Sequence, residues 1–215
     1  MQKLPFDVTV ELEGWTLFWA LLESQPSDPA LLQAASRKVI ELVRRTMELD
    51  TLSSHPTVAG LRRLFKAAGC DPSRYRPSSE ALLRRLLKGE EMPSIHPLVD
   101  LNNCLSASLA APCCVMAEEK LAPPFVFRSG RPGERYESLR GPFNLEGKPL
   151  LVDARGPCDA PITGGERVKV TAETARVWLV AYLPGLVVAA ETAERQLAEL
   201  LEAAPVARVH MTGAA

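Results

Sequence analysis

From Ala175 to Tyr182 the chain reads as a β-strand that is apolar on both faces. Val177, Leu179 and Ala181 fall on one side, Trp178 and Val180 on the other. Such a strand cannot border water and needs a layer of structure against each face. The remaining elements have to supply those layers.

Phe6, Val8, Val10 and Leu12 alternate with polar neighbours, which predicts a half-buried strand over residues 6–12. Glu13-Gly14 turns the chain into a second, more buried strand from Trp15 to Leu22, with Trp15, Phe18 and Trp19 as core residues. Ser27-Asp28-Pro29 starts a helix carried by Leu32, Ala35, Val39, Leu42, Val43 and Met47. Leu61, Leu64, Phe65 and Ala68 form a second helix, ended by Gly69, with Arg62, Arg63 and Lys66 on its solvated face. Ser78 caps a short helix striped by Leu82, Leu83, Leu86 and Leu87 and closed by Gly89. Beyond Pro112 come Cys113 and Cys114, a charged turn at Glu118-Glu119-Lys120 and a short strand at Phe125-Val126-Phe127. Residues 128–138 read as the most flexible internal loop. Leu150-Leu151-Val152 is a buried strand ending at Asp153, and a Gly/Pro-rich turn follows. Val168-Lys169-Val170 reads as a strand, Glu191 to Ala203 as an amphipathic helix, and Val206 to Ala215 as an edge strand with a loose tail. Strands and helices follow one another without regular β-α-β alternation, so the fold class is α+β. No internal repeat and no long linker is present.

Polar residues inside an apolar stretch single out Pro93 to Pro112. A Pro-punctuated lead-in reaches Asp100, Asn102 and Asn103, and a weakly polar helical segment then runs to Pro112. Buried Asp and Asn groups need hydrogen bonds, so this run implies either a built site or a costly internal network. Asparagine offers donors and acceptors together, which suits amides, amino groups and ribose hydroxyls. The same residues could equally cap the helix that follows. Gly164 and Gly165 lie next to Thr163 and would let backbone approach a ligand closely or turn tightly.

Composition narrows the function classes. With 215 residues and a net charge of −1, the chain suits one large or two small domains and has no overall pull on nucleic acid. Any RNA contact must be local, and Arg74, Arg76, Arg84, Arg85 and Lys88 form the most basic patch. No run approaches the roughly 20 apolar residues that span a bilayer. The stretch Met1 to Asp7 lacks the apolar core of a signal peptide. Five cysteines without framework spacing read as reduced thiols, which points to the cytoplasm. His55, His96 and His210 lie far apart, and Cys113-Cys114 is adjacent rather than spaced, so no metal site is expected. No phosphate-binding loop or dinucleotide fingerprint appears, and no cofactor is expected. Cys114 as nucleophile with His96 as base lacks any sign of a lowered thiol pKa.

Several motifs together resemble the B3/B4 editing module of the phenylalanyl-tRNA synthetase beta chain and its stand-alone relatives. The family pattern Val-Asp-x-Thr-Asn, a short helix, then Pro-x-His is similar to Val99-Asp100-Leu101-Asn102-Asn103 followed by Pro112-Cys113-Cys114. Thr-Leu-Asp-Gly and a short strand resemble Ser138-Leu139-Arg140-Gly141 and Leu150 to Asp153. Ala-Gly-Ile-Met-Gly-Gly resembles Ala160-Pro161-Ile162-Thr163-Gly164-Gly165, and Asp-Glu-Thr before a buried strand resembles Ala172-Glu173-Thr174. Arg76-Pro77-Ser78-Ser79-Glu80 through Gly89 looks like the opening helix of the stand-alone group. The likeness runs from Arg74 to Tyr182, about half of the chain.

What the resemblance implies is a mixed-sheet, β-sandwich core with flanking helices. Residues 74–215 would be the editing-type core and 1–73 a strand–helix segment packed on it, together one compact unit. It implies a second sieve that hydrolyses a mischarged aminoacyl-tRNA in trans. Because the ester is labile, such a site mainly positions water and the terminal ribose. Asp100, Asn102 and Asn103 would hold aminoacyl or ribose groups, Pro112 and Cys114 would line the pocket, and Thr163, Gly164 and Gly165 would offer backbone. The partners implied are tRNA or aminoacyl-tRNA, with Arg74, Arg76, Arg84 and Arg85 as RNA contacts, and a small amino-acid-like ligand.

The departures from the pattern matter. The family His falls on Cys114, the Thr on Asn102, and the Glu that meets a tyrosine phenol falls on Val180. An unmet buried hydroxyl costs about 1–3 kcal/mol, so a ligand facing Val180 would be smaller or more apolar. No catalytic residue is assigned. A non-catalytic binding module for an amino acid, related metabolite or RNA end is the alternative, and a structural domain with a vestigial pocket a third reading.

Overall fold

The doubly apolar strand sits where its pattern demands. In the computed structural model, which describes residues 6–215, it is β10 (Arg176–Pro184), buried along almost its whole length. The earlier elements, in chain order, are β1 (Val8–Val10), β2 (Trp15–Ser24), α1 (Pro29–Thr46), α2 (Pro56–Ala67), α3 (Ser78–Leu87), α4 (Pro97–Leu109), β3 (Cys113–Ala117) and β4 (Phe125–Ser129). Between β4 and β10 lie β5 (Arg135–Ser138), β6 (Gly141–Asn144), β7 (Pro149–Asp153), β8 (Gly156–Ala160) and β9 (Thr163–Gly164). The last two elements are α5 (Ala190–Ala203) and β11 (Ala207–Ala214). The stretch Met1–Pro5, read as part of a leaderless N-terminus, lies outside the described residues.

The fold is α+β. One sheet has the order β11-β2-β10-β3 and is antiparallel throughout. A second has the order β1-β4-β7-β8-β9, in which only the β1–β4 pair is parallel. Aromatic side chains join the sheets: Tyr182 meets Phe127 at 5.3 Å between ring centroids, and Trp178 meets Phe6 at 5.1 Å. The other face of the first sheet carries helices, with α4 against β3 and α5 against β2, while α2 packs at the Pro184 end of β10, its Phe65 meeting Trp15 at 5.8 Å on the side that faces the second sheet. Both faces of β10 are therefore covered, one by a sheet and one by helices. The segment before residue 74 contributes β2, which pairs along the full length of β10.

Local signals set several boundaries. Asp28 caps α1, its Oδ1 accepting from Ala30 N at 2.9 Å, and Pro29 follows at the first turn. A cap of this kind contributes about 1 kcal/mol. Gly69 (φ 93°) ends the turn after α2 in the left-handed region.

Other expectations fail for identifiable reasons. Ser78 is not a cap. It is the first residue of α3, and its N–H goes to Pro161 O at 2.9 Å. The Asp100-Asn103 run does not precede a helix but lies inside α4, whose cap is His96, Nδ1 accepting from Leu98 N at 3.2 Å. Residues 128–138 are not a loop throughout: β5 pairs with β6, Tyr136 opposite Phe143, and Glu134 clamps the start of the hairpin through Arg128 and Arg131 N. Val168-Lys169-Val170 is no strand. A 3-10 turn over Glu166–Val168 brings the Arg167 guanidinium onto Asp153.

Candidate functional site

The site is built around the free edge of β3. Tyr182 N donates to Pro112 O at 2.8 Å, so strand alternation turns the Cys113 carbonyl away from β10. Asn102, reaching over from α4, satisfies that carbonyl through Nδ2 at 3.2 Å. Its Oδ1 is buried and has no hydrogen-bond partner. An orphaned buried amide oxygen costs free energy unless something meets it.

One strand position further, Cys114 lies opposite Val180 of β10. Val180 and Tyr182 share a face, and Tyr182 Oη donates to Asp159 Oδ2 of β8 at 2.5 Å. Asp159 is fully buried, and its Oδ1 has no partner. No cation compensates this carboxyl. Burial pushes it up to about 7, against the opposing pull of the Tyr182 phenol, the Cys114 thiol and the Ala160 N–H. Burial and the neighbouring Asp159 also raise the Cys114 thiol and the Tyr182 phenol well above their ordinary ranges. Cys114 is therefore a protonated, poorly nucleophilic thiol at neutral pH.

The glycine pair closes the site from β9. Asp159 is in register with Gly164, and Ala160 with Thr163, whose carbonyl accepts from Tyr136 Oη. Neither glycine needs a left-handed φ; close approach requires glycine at 165, whereas at 164 only the exposed Leu139 side chain would have to give way. A Cβ on Gly164 would come within 3.6 Å of the orphaned Asp159 Oδ1 and 3.2 Å of Leu139 Cδ1. A Cβ on Gly165 would stand 2.3 Å from Cys158 O, which backbone cannot accommodate. Gly164 thus borders the carboxyl, and Gly165 lets β8 and the following turn close together. Cys114, Tyr136, Thr163 and Gly164 are half-buried, and Asp159, Val180 and Tyr182 are fully buried.

Of the residues singled out in the sequence, Cys114 and Val180 pair across β3 and β10, Thr163 and Gly164 pair with β8 beside Asp159, and Gly165 abuts Cys158 O, whereas Asn102 and Pro112 are tied to backbone, Asn102 to Cys113 O and Pro112 O to Tyr182 N. Asn103 is half-buried on α4 beside Asn102. Asp100 is directed elsewhere: its carboxylate accepts from Ser94 Oγ at 3.0 Å and Ile95 N at 2.8 Å. It lines a separate cleft of about 340 Å³ between α1 and the Pro93–Pro97 loop. Arg85 pairs with Glu90 at 2.8 Å, Arg74 lies over the Tyr75 ring at 5.2 Å, and Arg76 and Arg84 gather on Glu80. Among the described residues, no group of three or more His, Cys, Asp or Glu side chains could hold a metal ion. Nor is any helix there long and apolar enough to cross a membrane.

Asp159, Tyr182 and Tyr136 escaped the sequence reading. Asp159 lies in Gly156-Pro157-Cys158-Asp159-Ala160-Pro161, whose Gly and Pro content reads as a turn. An acid between Cys158 and Ala160 was the available signal, since a charge flanked by small apolar residues in a strand has to be explained.

A family model described as the B3/4 domain matches residues 60–199. No curated protein matches the chain. Among solved structures, the chain is similar to an N-terminal fragment of the phenylalanyl-tRNA synthetase beta-subunit from Pyrococcus horikoshii, at 14% identity and a TM-score of 0.47. That alignment covers 94% of this chain and 50% of the other, so the chain spans about half the length of the fragment. The family match takes in well over half of the sequence, including Asn102, Cys114, Asp159, Gly164 and Tyr182, and the chain belongs to the B3/4 domain family.

Proposed function

We propose that the chain is a free-standing editing-type module that takes the aminoacyl end of a mischarged tRNA and hydrolyses its ester in trans. The observation that carries this reading is Asp159. One of its oxygens is held by Tyr182, and the other is orphaned beside a bare glycine. A carboxyl raised to about 7 is matched to general-base work near neutral pH. A water reaching Oδ1 past Gly164 would give up a proton there while its oxygen attacks the ester carbonyl, and the ribose oxygen would leave as the acyl C–O bond breaks, taking that proton back from Asp159. Asn102 Oδ1 would accept from the substrate's ammonium or ribose hydroxyl, and Val180 would favour a small or apolar side chain. Neither Cys114 nor any histidine is required. The five cysteines are all unpaired, which fits action in the cytoplasm.

A panel of aminoacyl-tRNAs bearing non-cognate amino acids tests this directly. Deacylation of at least one, rising with pH to a plateau above about 7 and lost in Asp159→Asn, is expected. No turnover with any member would rule the hydrolase out.

The raised Cys114 thiol and the Val180 substitution favour a second reading, a binding module without turnover. It expects thermal stabilisation by an amino acid or an aminoacyl-adenosine ester mimic, with the ester left intact.

A further inference from the structure

Glu80, near the start of α3, is fully buried and ion-paired to arginines from three places in the chain. Arg62 Nη1 reaches both carboxylate oxygens at 2.9 Å. Arg84 donates through Nε at 3.1 Å, and Arg76 approaches through Nε at 3.3 Å. Arg62 Nη2 also donates to Ser73 Oγ at 3.3 Å. Among the described residues, no other carboxylate pairs with these three side chains. Three guanidiniums share one carboxylate, and the cluster keeps an excess of positive charge.

The mode of attachment decides what the cluster can do. An arginine held by its Nε has its side chain fixed and its two Nη groups still to offer. Arg76 and Arg84 are both held this way, and their side chains are 40% and 29% exposed. Two forks anchored on one buried acid match the oxygens of a phosphate diester better than two mobile surface arginines would, because the ordering is already done. Arg85, by contrast, is occupied by Glu90. The cluster also has a fixed relation to the candidate site. Ser78 N donates to Pro161 O, which ties the start of α3 to the segment leading into Thr163 and Gly164.

We propose that Arg76 and Arg84, organised with Arg62 by buried Glu80, form a phosphodiester cradle that seats RNA backbone beside the Asp159–Gly164 site. This names a contact for the tRNA partner and rests on that reading. Its test uses uncharged tRNA, which carries no ester, so the result is independent of whether the chain hydrolyses anything. Affinity is measured by fluorescence anisotropy between 50 and 200 mM salt. The Arg76→Gln/Arg84→Gln pair should weaken binding at least 10-fold at about 100 mM salt and make the log–log salt dependence shallower by about 1.5, the value for two lost phosphate contacts. The single Arg76→Lys, which keeps the charge and removes the fork, should weaken binding about 3-fold and leave the slope nearly unchanged. It also serves if the double variant fails to fold. Wild-type affinity and slope in the double variant, or full affinity in Arg76→Lys, would overturn the cradle. Thermal stabilisation by inorganic tripolyphosphate with no binding of tRNA would overturn the RNA assignment.

Discussion

Asp153 and Asp159 lie on the two arms of one β-hairpin, both buried, and the fold treats them in opposite ways. Asp153 meets the Arg167 guanidinium with both oxygens, at 2.9 and 3.1 Å, and also accepts from Ala122 N and Arg155 N. Asp159 has no cation, one phenol and one empty oxygen. A buried acid whose every lone pair is met holds a fold together. One that is left incomplete costs stability, and the cost needs a reason. Glu80 follows the first pattern towards its arginines, while Asn102 Oδ1 follows the second. By this contrast the hairpin carries a structural clasp at one end and a candidate site at the other.

The largest effect should come from the clasp. Asp153→Ala leaves Arg167 facing carbonyls with no carboxylate, and should cost about 3–5 kcal/mol in urea unfolding. A loss below 1 kcal/mol would mean that Asp153 is no better used than Asp159, and the contrast would collapse. Asp159→Asn should act in the opposite direction on stability. The folded state holds this carboxyl at about 7 against an ordinary value of 3.8, so the acid stays protonated to higher pH in the folded chain than in the unfolded one. The contribution of Asp159 to stability is therefore highest below pH 4, falls as pH rises towards 7 and is flat beyond. The Asn variant should lack that fall and gain ~2–4 kcal/mol at pH 8, while deacylation drops on the order of 100-fold. A pH-independent stability difference between the two proteins would place the Asp159 pKa near its ordinary range.

The glycines sharpen the comparison further. Gly165→Ala should destabilise by about 2 kcal/mol or more, because its Cβ meets the Cys158 carbonyl. Gly164→Ala should lose less than about 1 kcal/mol, since Leu139 is exposed and can move aside, yet should abolish stabilisation by an aminoacyl-adenosine ester mimic. Equal thermal shifts for the two alanines, with ligand response intact in Gly164→Ala, would remove the site from this place. The smallest effect is expected at Cys114. Cys114→Ser should change the deacylation rate by less than about 3-fold, because a raised thiol contributes no nucleophile. A loss near 100-fold would move the chemistry from Asp159 to sulfur.

How much of this was legible in the chain follows from the range of each signal. The alternation in Val177 to Tyr182, the Asp28-Pro29 start and the Trp15 strand were readable because period and capping act within a few residues. The strands β3 and β8 were not. Cys113-Cys114 and Gly156-Pro157 carry no strand pattern of their own, and they are extended because β10 and β7 pair with them. Tyr136 appeared to belong to a loop because its partners, Phe143 and the Thr163 carbonyl, come from later in the chain. Val168 and Val170 misled for the converse reason: a strand-like pattern gave way to the long-range clasp of Arg167 on Asp153.

By itself, then, the order of residues determined the α+β class, a central strand covered on two sides and the Asp28-Pro29 start of α1. The tertiary structure alone decided that Asp100 turns to its own loop, that Asp159 is the acid buried between Tyr182 and Gly164, and that Arg62 joins Arg76 and Arg84 on Glu80. The physical reason is common to all three. Hydrogen-bond satisfaction and desolvation are properties of a place in space, and residues distant in the chain create that place together.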